Sequence, residues 1–229
     1  MAEIIPAILA KNYTDLKGKI EKYANLTSIV QIDVCDGNFV PSISWPMQLS
    51  DEKSVQNILE EKEGLPSWEK IDFEFDLMIK NAHKQFDFFV RLGAKRIIFH
   101  IEAEDNIEEF KEFLEGIDMY FRENIEIGLA LNNTTQIETL NHLISYVDFI
   151  QCMGIEKIGF QGQDFDEKVL EQISSLRQKY PELIISVDGG VSENTAKDLI
   201  QKGANRLVIG SALEDSFDIR ESIKYFESL

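Results

Sequence analysis

Short apolar runs rich in Ile, Val and Phe recur along the 229-residue chain, separated by longer stretches in which apolar residues return every three or four positions. The runs are Glu3 to Leu9, Ser28 to Val34, Lys70 to Ile79, Arg96 to Glu102, Glu126 to Asn132, Phe149 to Ile155, Ile184 to Gly190 and Arg206 to Ala212. Near-continuous apolarity over such lengths suits strands buried on both faces, and the segments between them suit helices. Eight strand-helix units in alternation predict parallel pairing through right-handed crossovers. They favour a closed (β/α)8 TIM barrel of the α/β class over an open doubly wound sheet. Local signals agree: a helix start at Asp105-Asn106 precedes Phe110, Phe113 and Leu114 at helical spacing, and Gly93-Ala94 and Gly203-Ala204 stand just before the next strand. The longest connection, Asn38 to Trp68, reads as a loop followed by an amphipathic helix around Val55 to Glu61. With no linker or low-complexity tract, residues 1–229 are expected to form one barrel domain.

In such a barrel the chemistry gathers where the strands end, at their C-terminal tips and in the loops that follow. The polar residues at the ends of the runs are Gln31, Asp33, Asp36, Asp76, His100, Glu102, Asn132, Met153, Asp188, Gly210 and Ser211. In VQIDVCDGNFVP, Ile32 and Val34 alternate toward the helices while Gln31, Asp33 and Cys35 alternate toward the barrel interior. Asp188 ends the seventh run in ISVDGGV, with Gly189-Gly190 allowing a tight turn and close ligand approach. An isolated Asp-Gly is more often a turn or cap. Two aspartates on inward strand ends instead suit removal of a proton beside a ketone and its return to the opposite face. Glycine-containing segments follow the sixth, seventh and eighth runs: IGFQGQDF, DGGV and IGSAL. Each alone is a turn signal, but on adjacent strands they form a candidate phosphate cradle of backbone N–H groups, to which the Ser211 hydroxyl adds a donor.

Composition narrows the partners. With 41 acidic and 23 basic residues the formal charge is −18, which repels nucleic acid and anionic membranes from most of the surface. A phosphate remains compatible, because helix N-termini and bare amides attract anions locally. No apolar stretch approaches a membrane span, and the start MAEIIPAILAKNYTDLKGK lacks a signal-peptide pattern, so a cytoplasmic protein is expected. Cys35 and Cys152 sit in apolar runs and read as reduced, buried thiols.

The chain resembles the ribulose-phosphate 3-epimerase family over nearly its whole length. The resemblance rests on IIPAIL, IDVCDGNFVP, FDLM, FHIEA, LALNNT, MGIEKIGFQGQDF, SVDGGV and IGSAL, in the family's order and close to its spacing. It implies a ribulose-phosphate-binding (β/α)8 barrel that epimerises D-ribulose 5-phosphate to D-xylulose 5-phosphate through an enediolate, with a divalent metal. Asp33 and Asp188 match the family's acid and base; Gly159, Gly162, Gly189, Gly190, Gly210 and Ser211 match its phosphate-binding segments; Met78 and Met153 match pocket-lining sulfur residues.

Departures cluster at the same site. Gln31 and Asp76 stand where the family has metal-binding histidines, Ala7 where it has a substrate-contacting serine, Cys35 where it has methionine, and Asn38 where it has histidine. Its proline-glycine-phenylalanine-glycine-glycine loop is altered and one residue longer, as EKIGFQGQ. The expected metal set is therefore Asp33, Asp76, Asp188 and Gln31. Such oxygen donors prefer magnesium or manganese to zinc or iron, or hold no metal. His100 and Glu102 share strand parity and could face the cavity, although a lone strand histidine is more often a core residue; His83 and His142 read as structural. Glu74 reads as a salt bridge low in the barrel, and Phe86, Phe88 and Phe89 as helix packing.

The expected partner is a phosphorylated ketose, with no nucleic acid or membrane and with a homo-oligomer left open. The leading function is a ketose-phosphate epimerase. A catalytically reduced barrel that binds a sugar phosphate or another partner without turnover is the alternative. A β-keto-acid decarboxylase ranks last, because IDVCDGNF supplies no lysine to protonate a carbanion.

Overall fold

A computed structural model describes residues 2–229. Eight strands close in sequence order: β1 (Glu3–Ile8), β2 (Ile29–Cys35), β3 (Asp72–Met78), β4 (Ala94–His100), β5 (Glu126–Leu131), β6 (Phe149–Met153), β7 (Ile184–Asp188) and β8 (Arg206–Ile209). All eight neighbouring pairs are parallel, β8 returning to β1. Every residue of β2 and β6 is buried, as expected of strands enclosed by helices outside and by side chains within.

The ring of helices comprises α1 (Tyr13–Tyr23), α2 (Glu52–Leu59), α3 (Phe86–Arg91), α4 (Ile107–Gly116), α5 (Met119–Asn124), α6 (Lys168–Lys179), α7 (Ala196–Lys202), α8 (Ser211–Glu214) and α9 (Ile219–Glu227). Asn12 caps α1 by accepting from the Asp15 N–H, and Leu16, Ile20 and Tyr23 turn inward at helical spacing. Asn106 caps α4, which buries Phe110 and Leu114. Gly203 closes α7 at φ 116°, a left-handed conformation that favours glycine. Between β5 and β6 the chain departs from the alternation, forming two 3-10 turns, Ile137–His142 and Ile144–Tyr146, in place of an α-helix. Leu140 and Leu143, three apart, are the fully buried residues of this stretch, and a three-residue turn brings such positions onto one side. Among the described residues no helix is long and apolar enough to cross a membrane.

The core lies mainly between strands and helices and includes Ile32, Val34, Phe75, Leu77, Phe99, Leu129 and Ile185. Inside the barrel the packing is more polar, since Gln31, Glu74, Asp76, His100, Gln151, Ser186 and Arg206 are all buried there or at its ends. At the N-terminal end of the strands Arg96 pairs with Glu3, Glu74 and Glu126, and Arg206 with Glu3 and Glu126. The Arg206 guanidinium also lies 4.7 Å from the Phe149 ring centroid. This belt plugs one end of the barrel and leaves the other to ligands.

Within the belt Glu74 is fully buried with one carboxylate oxygen unpartnered. Burial raises its pKa to about 7 from an ordinary 4.5 against the pull of Arg96 and Arg206. A raised carboxyl pKa contributes stability below the unfolded value that is lost as pH climbs through the folded one. Glu74→Gln therefore gains on the wild type between pH 5 and pH 8 by ~2 kcal/mol. Urea unfolding at the two pH values measures the difference, and a pH-independent effect would contradict it.

Candidate functional site

Register explains why the acids meet. In the parallel ladder Asp33 lies opposite Asp76, Gln31 opposite both Ala7 and Glu74, and Asp188 opposite Met153 on one side and Val208 on the other. Asp33 and Asp76 are thus lateral neighbours at the same height. Asp188 arrives from β7, three strands around the ring from β2. Each of the three aspartates offers a carboxylate oxygen, and the three atoms lie within 4.8 Å of one another.

One side chain ties the acids together. The Gln31 amide nitrogen donates to Asp33 Oδ1 at 2.8 Å and to Asp188 Oδ2 at 2.7 Å, using both of its hydrogens. Gln31 Oε1 and Asp76 Oδ2 are buried without a hydrogen-bond partner. Burial and the neighbouring Asp76 carboxylate raise Asp33 to about 7, against the Gln31 hydrogen bond and His100. Asp188 is also raised well above the ordinary aspartate value, by burial and then by Asp33 and Asp76. Carboxylates this close in a shielded pocket cannot all ionise cheaply without a proton or a cation among them.

His100 is fully buried, and its Nε2 lies 2.9 Å from Asp76 Oδ1. Burial alone would lower the imidazole pKa, but the Asp76 carboxylate and its hydrogen bond outweigh it and the direction is upward. A lone strand histidine thus stands directly behind the acid cluster. The signal lay in strand parity, since Asp76 pairs with Ile98 in register and His100 is two residues further on the same side.

The other polar strand ends do different work. Glu102 accepts from the Asn132 N–H and the Thr135 hydroxyl and so ties two loops together. Asp36 orders the loop after β2 by accepting from the Asn38, Phe39 and Lys80 N–H groups. Burial would raise its pKa, yet these donors hold it below the ordinary value. His83 pairs with Glu104 outside the barrel, His142 is exposed, and both cysteines are buried free thiols.

Above the acids opens a pocket of ≈ 550 Å³, counting space open to solvent. Its wall includes Asp33, Asp76 and Asp188 at the base and Met78 and Met153 beside them; Gly159, Gly162, Gly189, Gly190, Gly210 and Ser211 also line it. Gln31 lies outside this lining and holds the acids through its amide. Gly190, at φ 67°, passes so close to Phe165 that a Cβ would come within 2.8 Å of backbone. Among the described residues the Gly189, Gly190 and Val191 N–H groups meet no acceptor. Lys19 anchors this end from below, donating to the Leu9 carbonyl at 3.0 Å and pairing with Glu214 at the end of α8. The loops after β2 and β6 are joined by the Ser42 hydroxyl donating to the Gly159 carbonyl.

A carboxylate base under a cradle of free amides suits a phosphate ester with an acidic carbon. Residues 3–214 match the model of the "Ribulose-phosphate 3 epimerase family". The chain belongs to the ribulose-phosphate 3-epimerase family. It is 30% identical over 227 residues to a protein named ribulose-phosphate 3-epimerase in Eremothecium gossypii, covering 98% of this chain and 91% of that protein. It is 27% identical over 230 residues to the Bacillus subtilis protein of the same name, covering 97% of each. The ribulose-phosphate 3-epimerases are isomerase-class enzymes. Among solved structures, KGPDC from Streptococcus mutans superposes at TM-score 0.69 and 15% identity, covering 99% of this chain and 96% of that one. A 3-hexulose-6-phosphate synthase superposes at TM-score 0.67, also at 15% identity, covering 99% and 98%. At these identities the likeness is one of fold.

Gln31 supplies a test of the acid cluster in this family member. Gln31→Leu removes a donor that favours the ionised forms of Asp33 and Asp188, so both pKa values rise further. The destabilisation at pH 8 should exceed that at pH 5 by about 1–2 kcal/mol, measured by denaturant unfolding. An equal loss at both values would show that the amide does not support charge.

Proposed function

We propose that the protein epimerises a ketose phosphate, D-ribulose 5-phosphate to D-xylulose 5-phosphate, by proton transfer between Asp33 and Asp188. The observation that carries this reading is the pair of raised carboxylates, Asp33 buried and Asp188 half-buried, bridged by one amide at 2.8 and 2.7 Å. They approach the pocket from strands three apart, so they can address opposite faces of a planar intermediate. Near neutral pH such a pair keeps one proton between its members, giving one acid and one base at once. The ionised aspartate removes the proton from C3, charge moves onto the ketone oxygen to form the enediolate, and the protonated aspartate returns a proton to the other face. Met78 and Met153 shield that carbon from water. The amides of Gly189, Gly190 and Val191, with Ser211, hold the phosphate and fix the carbon chain over the acids. One barrel domain carrying the whole site is part of the same proposal.

The family generally uses a divalent metal. Three clustered carboxylate oxygens and the orphaned Oε1 of Gln31 and Oδ2 of Asp76 fit a hard cation. Asp33, Asp76 and Asp188 would hold it, with Gln31 as an adjustable fourth donor, and magnesium or manganese suits this all-oxygen set better than zinc or iron. When bound, it supplies positive charge that stabilises the enediolate.

A second reading, binding of a sugar phosphate without turnover, is favoured by one observation. The Gln31 N–H groups face both carboxylates where a cation would otherwise sit. Incubation with D-ribulose 5-phosphate in deuterium oxide separates the two. The epimerase places deuterium at C3 and forms xylulose 5-phosphate, whereas calorimetric binding with no exchange for any ketose phosphate, with or without metal, selects the second reading.

Asp33→Asn and Asp188→Asn should each lower turnover by about 10²–10⁴-fold with the fold retained, as circular dichroism and melting would report. Elemental analysis of the purified protein should find no tightly held zinc. Manganese affinity should rise with pH through the raised carboxyl values, because binding releases protons. Stoichiometric zinc surviving dialysis would overturn the hard-metal assignment.

A further inference from the structure

Gln161 stands in the loop after β6, within the segment from Glu156 to Gln163. Its side chain crosses the pocket mouth to the opposite strands. Nε2 lies 3.4 Å from the Ala7 carbonyl on β1, and a Cβ built on Gly210, just after β8, would come 2.9 Å from the same nitrogen. The carboxamide thus rests between the two smallest residues of that wall. Ala7 and Gly210 leave the room it fills.

Its position along the pocket is informative. Ala7 is in register with Gln31, the residue that ties the proton-transfer pair, whereas Gly210 adjoins Ser211 at the phosphate end. The amide therefore sits between the reacting end and the phosphate end. One of its N–H groups points at the Ala7 carbonyl; the other N–H and Oε1 have no partner among the described residues. A half-buried carboxamide with a free donor and a free acceptor matches a hydroxyl group, which both donates and accepts. The remaining polar side chains of the pocket wall are the three aspartates, Ser211 and Gln163, and Gln163 makes no hydrogen bond to the barrel among the described residues.

We propose that Gln161 is a specificity-determining residue that hydrogen-bonds the hydroxyl on the carbon between the reacting carbon and the phosphate-bearing carbon, so that the site selects a pentulose 5-phosphate hydroxylated at C4. The inference rests on the ketose-phosphate reading of this site. In a pentulose 5-phosphate reacting at C3, C4 is the one carbon between those two positions. A hexulose 6-phosphate would have two carbons there and crowd the amide against Ala7 and Gly210. The same chain that lacks a β1 hydroxyl at Ala7 carries a carboxamide over that spot.

The test compares D-ribulose 5-phosphate with its 4-deoxy analogue on the full-length wild type and on Gln161→Met, which keeps the side chain's length but not its hydrogen bonds. Deuterium exchange at C3 gives kcat/KM, and calorimetry gives Kd. The wild type should favour the hydroxylated ligand by about tenfold, and Gln161→Met should bring that ratio close to one. A loop that merely collapses would weaken both ligands together and preserve the ratio, so a ratio unchanged in Gln161→Met overturns the proposal. A wild-type ratio near one does the same, and in both cases exchange at C3 leaves the epimerase reading standing. A Kd ratio of about tenfold, lost in Gln161→Met without any exchange, supports the role of Gln161 and removes the epimerase reading instead. Failure of the wild type to bind either ligand overturns both.

Discussion

Three carboxylates share the base of one pocket because strand register and ring closure bring them together. Once Asp33 stands opposite Asp76 in the ladder and the ring closes to bring in Asp188, mutual repulsion and lost hydration must be offset locally. The Gln31 amide, the His100 imidazole and retained protons are the compensations within the chain. Each is incomplete: Gln31 Oε1 and Asp76 Oδ2 stay unpartnered, and Asp33 and Asp188 hold their protons to unusually high pH. The proposed proton transfer and the proposed hard cation would both draw on this residual imbalance.

The two ends of the barrel solve the same problem differently. At the N-terminal end Arg96 and Arg206 face Glu3, Glu74 and Glu126, so opposite charges meet in place and the packing is closed. At the C-terminal end no arginine or lysine lines the pocket. Its positive character comes from backbone N–H groups in the glycine loops, which carry no net charge and would suit the proposed phosphate despite the acidic surface.

Much of this was legible in the sequence, and the exceptions have identifiable causes. The apolar runs located all eight strands, but Arg206 to Ala212 overshot β8, which ends at Ile209, because Ala212 and Leu213 are apolar for the sake of α8. The run beginning at Arg96 missed the start of β4 at Ala94, since Lys95 is exposed and hides the strand's apolar pattern. The missing helix after β5 was invisible because spacings of three and four overlap in so short a segment. Alternation identified Asp33 as an inward residue and the run ends picked out Asp76, but neither could reveal that Gln31 reaches Asp188, a contact 157 positions distant that exists only after closure. Gln161 was hidden for the same reason, as its meaning depends on strands 154 residues away.

Lys19 gives the closure a further significance. By gripping both the residue after β1 and the end of α8, it ties the first and last strand-helix units of the barrel together. A ligand that bound only the closed ring would oppose opening at the β1–β8 seam by its binding free energy. Such a ligand would act as a clasp on the join between the two ends of the chain, holding the barrel at the place where the ring closes.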